Sequence, residues 1–291
     1  MAAGVETRRR RKAFEAGTRG GWQLASPGTL WMILFFVVPL LMVLVVSFLT
    51  RGRGGVMELP LTLDHYQRVF QLYLPVVWTS VWISVVTTII CLIVGYPLAF
   101  FITTRKQAWV RNVALFLVIL PFWTNFLVRT YAMQTILARE GLINELLLSL
   151  NFEPVTLLYT PTAVLIGLVY GYLPFMVLPI YAAAERFDFK FVSAAHDLGA
   201  NDWKAFWRVV FPMTLPGVVA GCILVFVPCL GTYLTVELLG GESVLMIGKL
   251  INDQFVSDRH FPRGSAVSMA LMALVMVALI LYVRYGNQER A

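Results

Sequence analysis

The sequence predicts an all-α integral membrane protein. Of its 291 residues, 59% are hydrophobic and only 13% are charged, whereas a soluble domain carries about 25% charged residues. The mean hydropathy is +0.76, and apolar stretches near the ~20 residues that cross a bilayer recur along the chain. The sequence lacks the short alternating strands that would indicate a barrel. We therefore expect the chain to cross the membrane as helices.

Six apolar stretches are long enough to be spans, and little of the chain lies outside them. The intervening segments are too short for an independent catalytic domain, so the energy source must be an ion gradient or another protein. We expect a basic segment at 1–26, a six-helix membrane domain at 27–285 and a short tail at 286–291. The expected spans are 29–49, 76–102, 112–137, 161–184, 213–239 and 264–285.

The basic residues predict the orientation of the chain. Fifteen of the 23 Lys and Arg residues lie in the two terminal segments and in the second and fourth segments between spans. Seven lie in the other segments, and Arg129 lies inside a span. Because positive charge stays inside, both termini are expected in the cytoplasm. The basic cluster at 8–12 then fits an uncleaved anchor better than a signal peptide or a nucleic-acid patch, since the apolar run that follows is too long for a signal core.

The sequence indicates no catalytic, cofactor or metal site. The string "GGESVLMIGKL" approaches a P-loop only at Gly248 and Lys249, because Leu250 stands where Ser or Thr would bind magnesium. HExxH and G-x-S-x-G strings do not occur in the sequence. All three cysteines lie inside predicted spans, where we expect them to pack as apolar residues: Cys91, Cys222 and Cys229. We therefore expect a protein that is not an enzyme.

A charged, glycine-broken stretch at 186–212 separates the fourth and fifth predicted spans. Its first part has apolar residues at helical spacing and predicts a short amphipathic helix that Gly199 ends. The apolar face consists of Phe191, Ala194, Ala195 and Leu198, and the opposite face of Ser193, His196 and Asp197.

A second short amphipathic helix is expected to begin at Asn201 and Asp202. Its apolar side consists of Trp203, Phe206, Trp207 and Val210. The pairs Phe211-Pro212 and Leu215-Pro216 then mark entry into the fifth span, because prolines are tolerated near a helix start. From this pattern alone, the stretch could be an interfacial helix that covers the end of the bundle or a docking element for another protein.

Residues 193–217 resemble the cytoplasmic signature of type I ABC importer permeases, which reads Glu-Ala-Ala, three residues, Gly, then an Ile/Val-x-x-Pro segment. The chain has Ser193 in place of the Glu, which affects any contact of that carboxylate. The resemblance implies a six-span permease fold whose coupling helix sits in a cleft of a separate ATPase subunit. The implied coupling residues are Ser193, Ala194, Ala195, His196, Asp197, Leu198, Gly199 and Ala200.

The resemblance extends over about residues 27–285. The strings "LPFWTNFLVRTYA", "GLVYGYLPFMVLPIYAA" and "ELLGGESVLMIGKLINDQF" are similar to permeases for spermidine and putrescine. This resemblance implies a location in the bacterial inner membrane. It also implies four kinds of partner: a second permease subunit, two copies of a cytoplasmic ATPase that uses ATP, an extracytoplasmic solute-binding protein and a small cationic cargo. Ferric iron, thiamine and aminophosphonate are the alternative cargoes.

A pathway for a flexible polycation should offer carboxylates and aromatic faces. Glu237 is the candidate carboxylate, expected ~36 Å along the fifth span at 1.5 Å per residue, with Tyr233 one turn earlier. Further candidate lining residues are Trp123, Asn125, Tyr170 and Tyr172, although Trp and Tyr also favour membrane interfaces without a ligand. Arg129 is expected either to reach the outer surface or to pair with Glu237.

Two other classes of protein remain possible from the sequence. A self-contained secondary transporter of six spans would need ionisable groups inside the membrane for ion coupling, and only Arg129 and Glu237 qualify. A membrane enzyme would need a catalytic constellation, and the sequence offers none that is convincing.

Overall fold

Helices account for most of the computed structural model, which describes residues 25–52 and 57–286. The basic cluster at 8–12 and the end of the tail lie outside the described residues. A two-stranded antiparallel hairpin joins β1 (Thr50–Arg51) to β2 (Met57–Glu58). The described helices are α1 (Ala25–Val46), α2 (Asp64–Leu72), α3 (Leu74–Thr104), α4 (Ala108–Trp123), α5 (Phe126–Leu137), α6 (Leu142–Ser149), α7 (Pro161–Glu185), α8 (Lys190–Asp197), α9 (Asp202–Leu230), α10 (Leu234–Gly240), α11 (Ile247–Val256) and α12 (Phe261–Gly286).

Three long helices, α3, α7 and α9, form the centre of the bundle. Met176 of α7 is fully buried between the other two. Gly217 and Gly221 lie one turn apart on α9 and face α7. A Cβ at Gly221 would stand 2.8 Å from the Met176 sulfur, and one at Gly217 would stand 2.6 Å from the Pro179 carbonyl oxygen. The two glycines therefore let the helices approach closely, which is how helices associate in a membrane.

Five helices in the described part of the chain are long and apolar enough to cross a membrane: α1, α3, α7, α9 and α12. Four of them match predicted spans with both ends within four residues. The predicted all-α membrane fold is confirmed, and the two remaining predicted spans need correction. The cysteines occupy the interior as expected, with Cys91 and Cys229 buried and Cys222 partly buried.

The third predicted span, 112–137, is not one straight helix. It consists of α4 and α5, and the chain bends by 95° between them. The break frees the Pro121 carbonyl, which accepts hydrogen bonds from the Thr124 hydroxyl at 2.8 Å and from Arg129 Nη1 at 2.9 Å. The Asn125 side chain caps α5 by accepting from the Leu127 amide. These partners satisfy backbone groups that lipid would leave unpaired.

The fifth predicted span, 213–239, is wrong at both ends. The helix begins at Asp202 and ends at Leu230, and Glu237 lies on the separate helix α10. The N-terminal end of α11 packs against the break, since a Cβ at Gly248 would overlap the carbonyl oxygens of Gly231 and Thr232. The predicted distance of ~36 Å along one helix to Glu237 therefore does not apply.

A buried histidine, His260, caps the start of α12. Its Nδ1 accepts a hydrogen bond from the Arg263 amide at 3.3 Å, and its ring stands edge-on to His65 with centroids 5.3 Å apart. Burial, with help from the nearby Arg263 and His65, lowers the pKa of His260 from 6.5 to about 4. The ring is therefore neutral near pH 7, and its unprotonated Nδ1 can accept the hydrogen bond from the Arg263 amide.

This cap predicts a pH-dependent stability. Between pH 6.5 and about 4 the unfolded chain takes up a proton at His260 that the folded chain refuses, so the folded state loses stability as pH falls. Asn is also a good helix cap but does not titrate. We expect His260→Asn to show a smaller decline in Tm than the wild type over this window, measured by intrinsic fluorescence in detergent. Parallel declines in the two proteins would contradict this role.

Candidate functional site

The bent segment, which we define as residues 186–212, has the predicted bend. Helix α8 ends at Asp197, and Gly199 adopts a φ of +82°, a conformation that favours glycine. The Asn201 side chain then accepts a hydrogen bond from the Lys204 amide at 2.9 Å and caps the next helix. This next helix is not a second short one, because it continues through a π-helical stretch at Phe206–Val210 into the rest of α9.

The outer surface of the bent segment has little contact with the rest of the chain. Leu198 is 89% exposed and Phe191 is 53% exposed. Apart from Gly199 and its two chain neighbours, no heavy atom of the described residues lies within 4 Å of the position a Gly199 Cβ would occupy. Across the bend, His196 Nε2 lies 3.1 Å from the Asp202 carboxylate and joins α8 to α9. The predicted apolar face is therefore available to a partner, and its coupling role stays a prediction.

The inner surface of the bent segment rests on an aromatic cluster, which we define as Tyr96, Phe100, Phe187, Phe189 and Phe206. Ring centroids are 5.6 Å apart for Tyr96 and Phe206, 6.2 Å for Phe100 and Phe189, and 5.3 Å for Phe187 and Phe189. The Tyr96 hydroxyl also bonds the Thr214 hydroxyl at 2.8 Å. The cluster therefore connects α3, the bent segment and α9.

The sequence did not reveal this cluster. Its pattern placed Phe206 on an apolar face but indicated no partner for it, because Tyr96 and Phe100 come from a helix about 100 residues earlier in the chain. The close spacing of Phe187, Phe189 and Phe191 before the bend was the available signal.

The break between α4 and α5 borders a cavity of about 350 Å³. Tyr172 lines it, together with Arg129, Phe126 and Thr235. The Arg129 guanidinium carbon lies 5.3 Å from the Phe126 ring centroid and 5.5 Å from that of Tyr170. Arg129 is partly exposed and bonds the Pro121 carbonyl, while Glu237 pairs with Lys249 instead. Arg129 therefore gives this cavity a positive charge.

A second, more open depression of about 480 Å³ adjoins the first cavity. Asn125 and Tyr233 line it, and Phe126 lines both spaces. Two of the predicted pathway residues therefore meet in one place. Trp123 is 74% exposed and contacts Phe116, and neither Trp123 nor Glu237 is among the residues that line these two spaces.

Glu237 forms an ion pair that the sequence did not predict. Its carboxylate lies 2.9 Å from the Lys249 ammonium, which also donates to the Gly241 carbonyl. The Lys249 side chain is 9% exposed, while that of Glu237 is 47% exposed. Tyr233 precedes Glu237 by one turn, as predicted, and its carbonyl accepts from the Glu237 amide.

Comparison with known proteins identifies the class of protein to which this chain belongs. Residues 95–290 match the model of the family described as binding-protein-dependent transport system inner membrane component. The chain belongs to this family, and it is a multi-pass inner-membrane permease subunit of such a system. Its fold is similar to that of a solved chain from a bacterial ABC transporter that imports alginate, with a TM-score of 0.73 and 17% identity over 95% of this chain and 99% of that one.

The chain is also similar in sequence to permease proteins of two bacteria. The chain is 45% identical over 258 residues to the spermidine/putrescine transport system permease protein PotB of Haemophilus influenzae, and the match covers 88% of this chain and 89% of the relative. It is 41% identical over 257 residues to the protein of the same name from Escherichia coli K12, with 87% and 93% covered.

Proposed function

We propose that this chain is one of two permease subunits of an ATP-driven polyamine importer. The observation that carries the proposal is the bent segment, which presents an exposed surface at one end of α9 while the other end of α9 reaches the residues near Glu237. The 45% identity to a spermidine/putrescine permease supports the choice of cargo over ferric iron, thiamine or aminophosphonate.

In this proposal the bent segment docks into a cytoplasmic ATPase subunit. The docking residues are those at 193–200, with Leu198 as the apolar contact that the described chain leaves uncovered. Two ATPase copies close on ATP and move the bent segments of both permeases. Shifting an equilibrium from 1:99 to 99:1 takes about 5.5 kcal/mol of differential binding, which the ATPase subunits supply through the nucleotide they bind.

The proposal also sets the orientation and the remaining partners. Both termini and the bent segment lie on the cytoplasmic side, as the basic residues indicate. Helix α3 runs from the end of the bundle near Lys249 to the end with the bent segment, since the Ser80 hydroxyl accepts from the Ile247 amide and Tyr96 bonds Thr214 at the opposite end. The end near Lys249 therefore faces the extracytoplasmic solute-binding protein.

The cargo pathway is proposed to pass Asn125, Tyr233 and Tyr172, with Glu237, Tyr170 and Trp123 nearby. Aromatic faces attract ammonium groups, whereas Arg129 opposes a cation in the smaller cavity. An ion-coupled secondary transporter is less well supported, because Arg129 and Glu237 are both engaged in hydrogen bonds or ion pairs and lie away from the middle of the long helices.

The function is tested by reconstituting the complete importer in liposomes with radiolabelled putrescine. We expect uptake that requires ATP, the ATPase and the binding protein, and no ATP hydrolysis by the purified chain alone. Uptake driven only by an ion gradient, or hydrolysis by this chain without its partners, would refute the proposal.

The bend itself provides a second prediction. A β-branched side chain at a φ of +82° is strained by about 1–3 kcal/mol, so Gly199→Val should alter the bend without a clash. We expect putrescine uptake per ATP hydrolysed to fall while the ATPase stays bound, measured in the same liposomes. Gly28→Val is the matched control, because its Cβ also meets open space but its φ is not positive. Normal coupling in Gly199→Val would remove the bend from the mechanism.

A further inference from the structure

Lys249 is a buried cation with no part in the transport mechanism described above. The residue is 8% exposed, and lysine is almost never buried unless it is paired. Its ammonium contacts two acceptors, the Glu237 carboxylate at 2.9 Å and the Gly241 carbonyl. Both acceptors belong to α10 or to the residue that follows it, so the ammonium sits at the C-terminal end of a helix, where cations are favoured.

The Gly241 carbonyl is held in place for this contact. Gly241 has a φ of +54°, and a Cβ there would stand 2.7 Å from the Tyr159 ring. The Tyr159 amide in turn donates to the Leu239 carbonyl at 2.9 Å. The surrounding chain thus fixes one acceptor of the ammonium independently of Lys249.

A second carboxylate adds negative charge to the same place. Asp253 follows Lys249 by one turn of α11 and so lies on the same face. Burial raises the pKa of Asp253, the Lys249 ammonium lowers it, and Glu237 and Asp258 raise it. The Lys249 ammonium therefore has one carboxylate in contact, Glu237, and a second, Asp253, one turn away on its own helix.

The chemistry of Lys249 matches the proposed cargo. Beyond its Cα, a lysine side chain is four methylene groups that end in an ammonium. Putrescine is four methylene groups with an ammonium at each end, and spermidine contains the same aminobutyl unit. Lys249 thus presents to Glu237 the same group that the cargo carries, an ammonium at the end of a four-methylene chain.

We propose that Glu237, Asp253 and the Gly241 carbonyl form a binding site for an aminobutyl ammonium, and that Lys249 occupies this site until the cargo displaces it. The inference rests on the proposed polyamine function. Exchange of one ammonium for another keeps the Glu237 carboxylate compensated. The displaced Lys249 ammonium must then reach water, because an uncompensated buried charge would be strongly destabilising.

The cargo has a route to this site. The Glu237 side chain is 47% exposed although Lys249 is buried behind it, so an incoming ammonium meets the carboxylate first. Tyr233 is 43% exposed, lines the open depression and lies one helical turn from Glu237. An aromatic face and a carboxylate therefore stand in sequence along one side of α10.

The first test fills the site after removing its occupant. In the complete importer in detergent, Lys249→Gly leaves room for n-butylammonium, which should raise the Tm of this variant by mass action. The neutral analogue n-butanol should not raise it, and the matched variant of an exposed lysine between α3 and α4, Lys106→Gly, should respond less to the amine because Lys249 still competes for its site. Absence of an n-butylammonium effect on Lys249→Gly would overturn the site.

The second test asks whether the cargo uses the site. Lys249→Met keeps the length of the side chain but cannot compete for Glu237, so the KM for putrescine uptake should fall about fivefold, as expected for loss of a partly exposed ion pair. Glu237→Gln should raise that KM, and the double variant should resemble Glu237→Gln. An unchanged KM with a lower Vmax in Lys249→Met would mean that the pair only holds α10 to α11, and would overturn the proposal.

These outcomes distinguish failure of the displacement site from failure of the proposed function. If the wild-type importer takes up no polyamine, the proposed function fails regardless of the Lys249 variants. If it takes up putrescine but Lys249→Met leaves KM unchanged, only the displacement proposal fails. The n-butylammonium measurement needs no transport, so it tests the site in either case.

Discussion

The packing of the aromatic cluster beneath the bent segment is the interaction on which the rest of the structure depends. Aromatic pairs in these geometries contribute about 0.5–1.5 kcal/mol each beyond the area they bury. Here they connect the end of α3, the approach to α8 and the first turns of α9. Another contact across the bend that joins α8 to α9 is the exposed pair of His196 and Asp202. In the proposed mechanism, the aromatic cluster transmits a displacement at the surface around Leu198 to α9.

In the same proposal, α9 carries that displacement through the bundle. It runs for 29 residues from Asp202 to Leu230, or about 43 Å at 1.5 Å per residue. Gly217 and Gly221 let it pack closely against α7. At its far end, the break at Gly231 receives the start of α11, which bears Lys249. The docking surface and the proposed ammonium site are thus connected through one helix.

The features that local chemistry determines were predictable from the sequence. Hydropathy placed four spans to within four residues at both ends, and Gly199 and Asn201 located the bend, because these signals depend on residues near one another in the chain. The bend between α4 and α5 was not predicted because its local partners, the Thr124 hydroxyl and the Asn125 cap, lie within an apolar stretch long enough for one straight span. The end of α9 was misplaced because Gly248, from another helix, packs against it.

The partner of Glu237 illustrates the same limit. The sequence suggested Arg129 as a partner because both residues lay in predicted spans, and Lys249 stood out only as part of a failed P-loop. Lys249 reaches Glu237 only because the turn at Gly241 folds α11 back toward α10. Contacts between helices, rather than composition, decide which charges meet, and they also decide whether a carboxylate is free to receive a cargo.

The most direct test is to measure whether the bent segment and α9 move as one body. Spin labels at positions 198 and 224, both exposed, can be placed after the three native cysteines are substituted, and their separation measured in the importer with and without ATP. We expect this distance to change by less than about 2 Å, the scale of small helix shifts, and its distribution to broaden in Phe206→Ala. A larger ATP-dependent change in the protein with Phe206 intact would contradict transmission through the aromatic cluster.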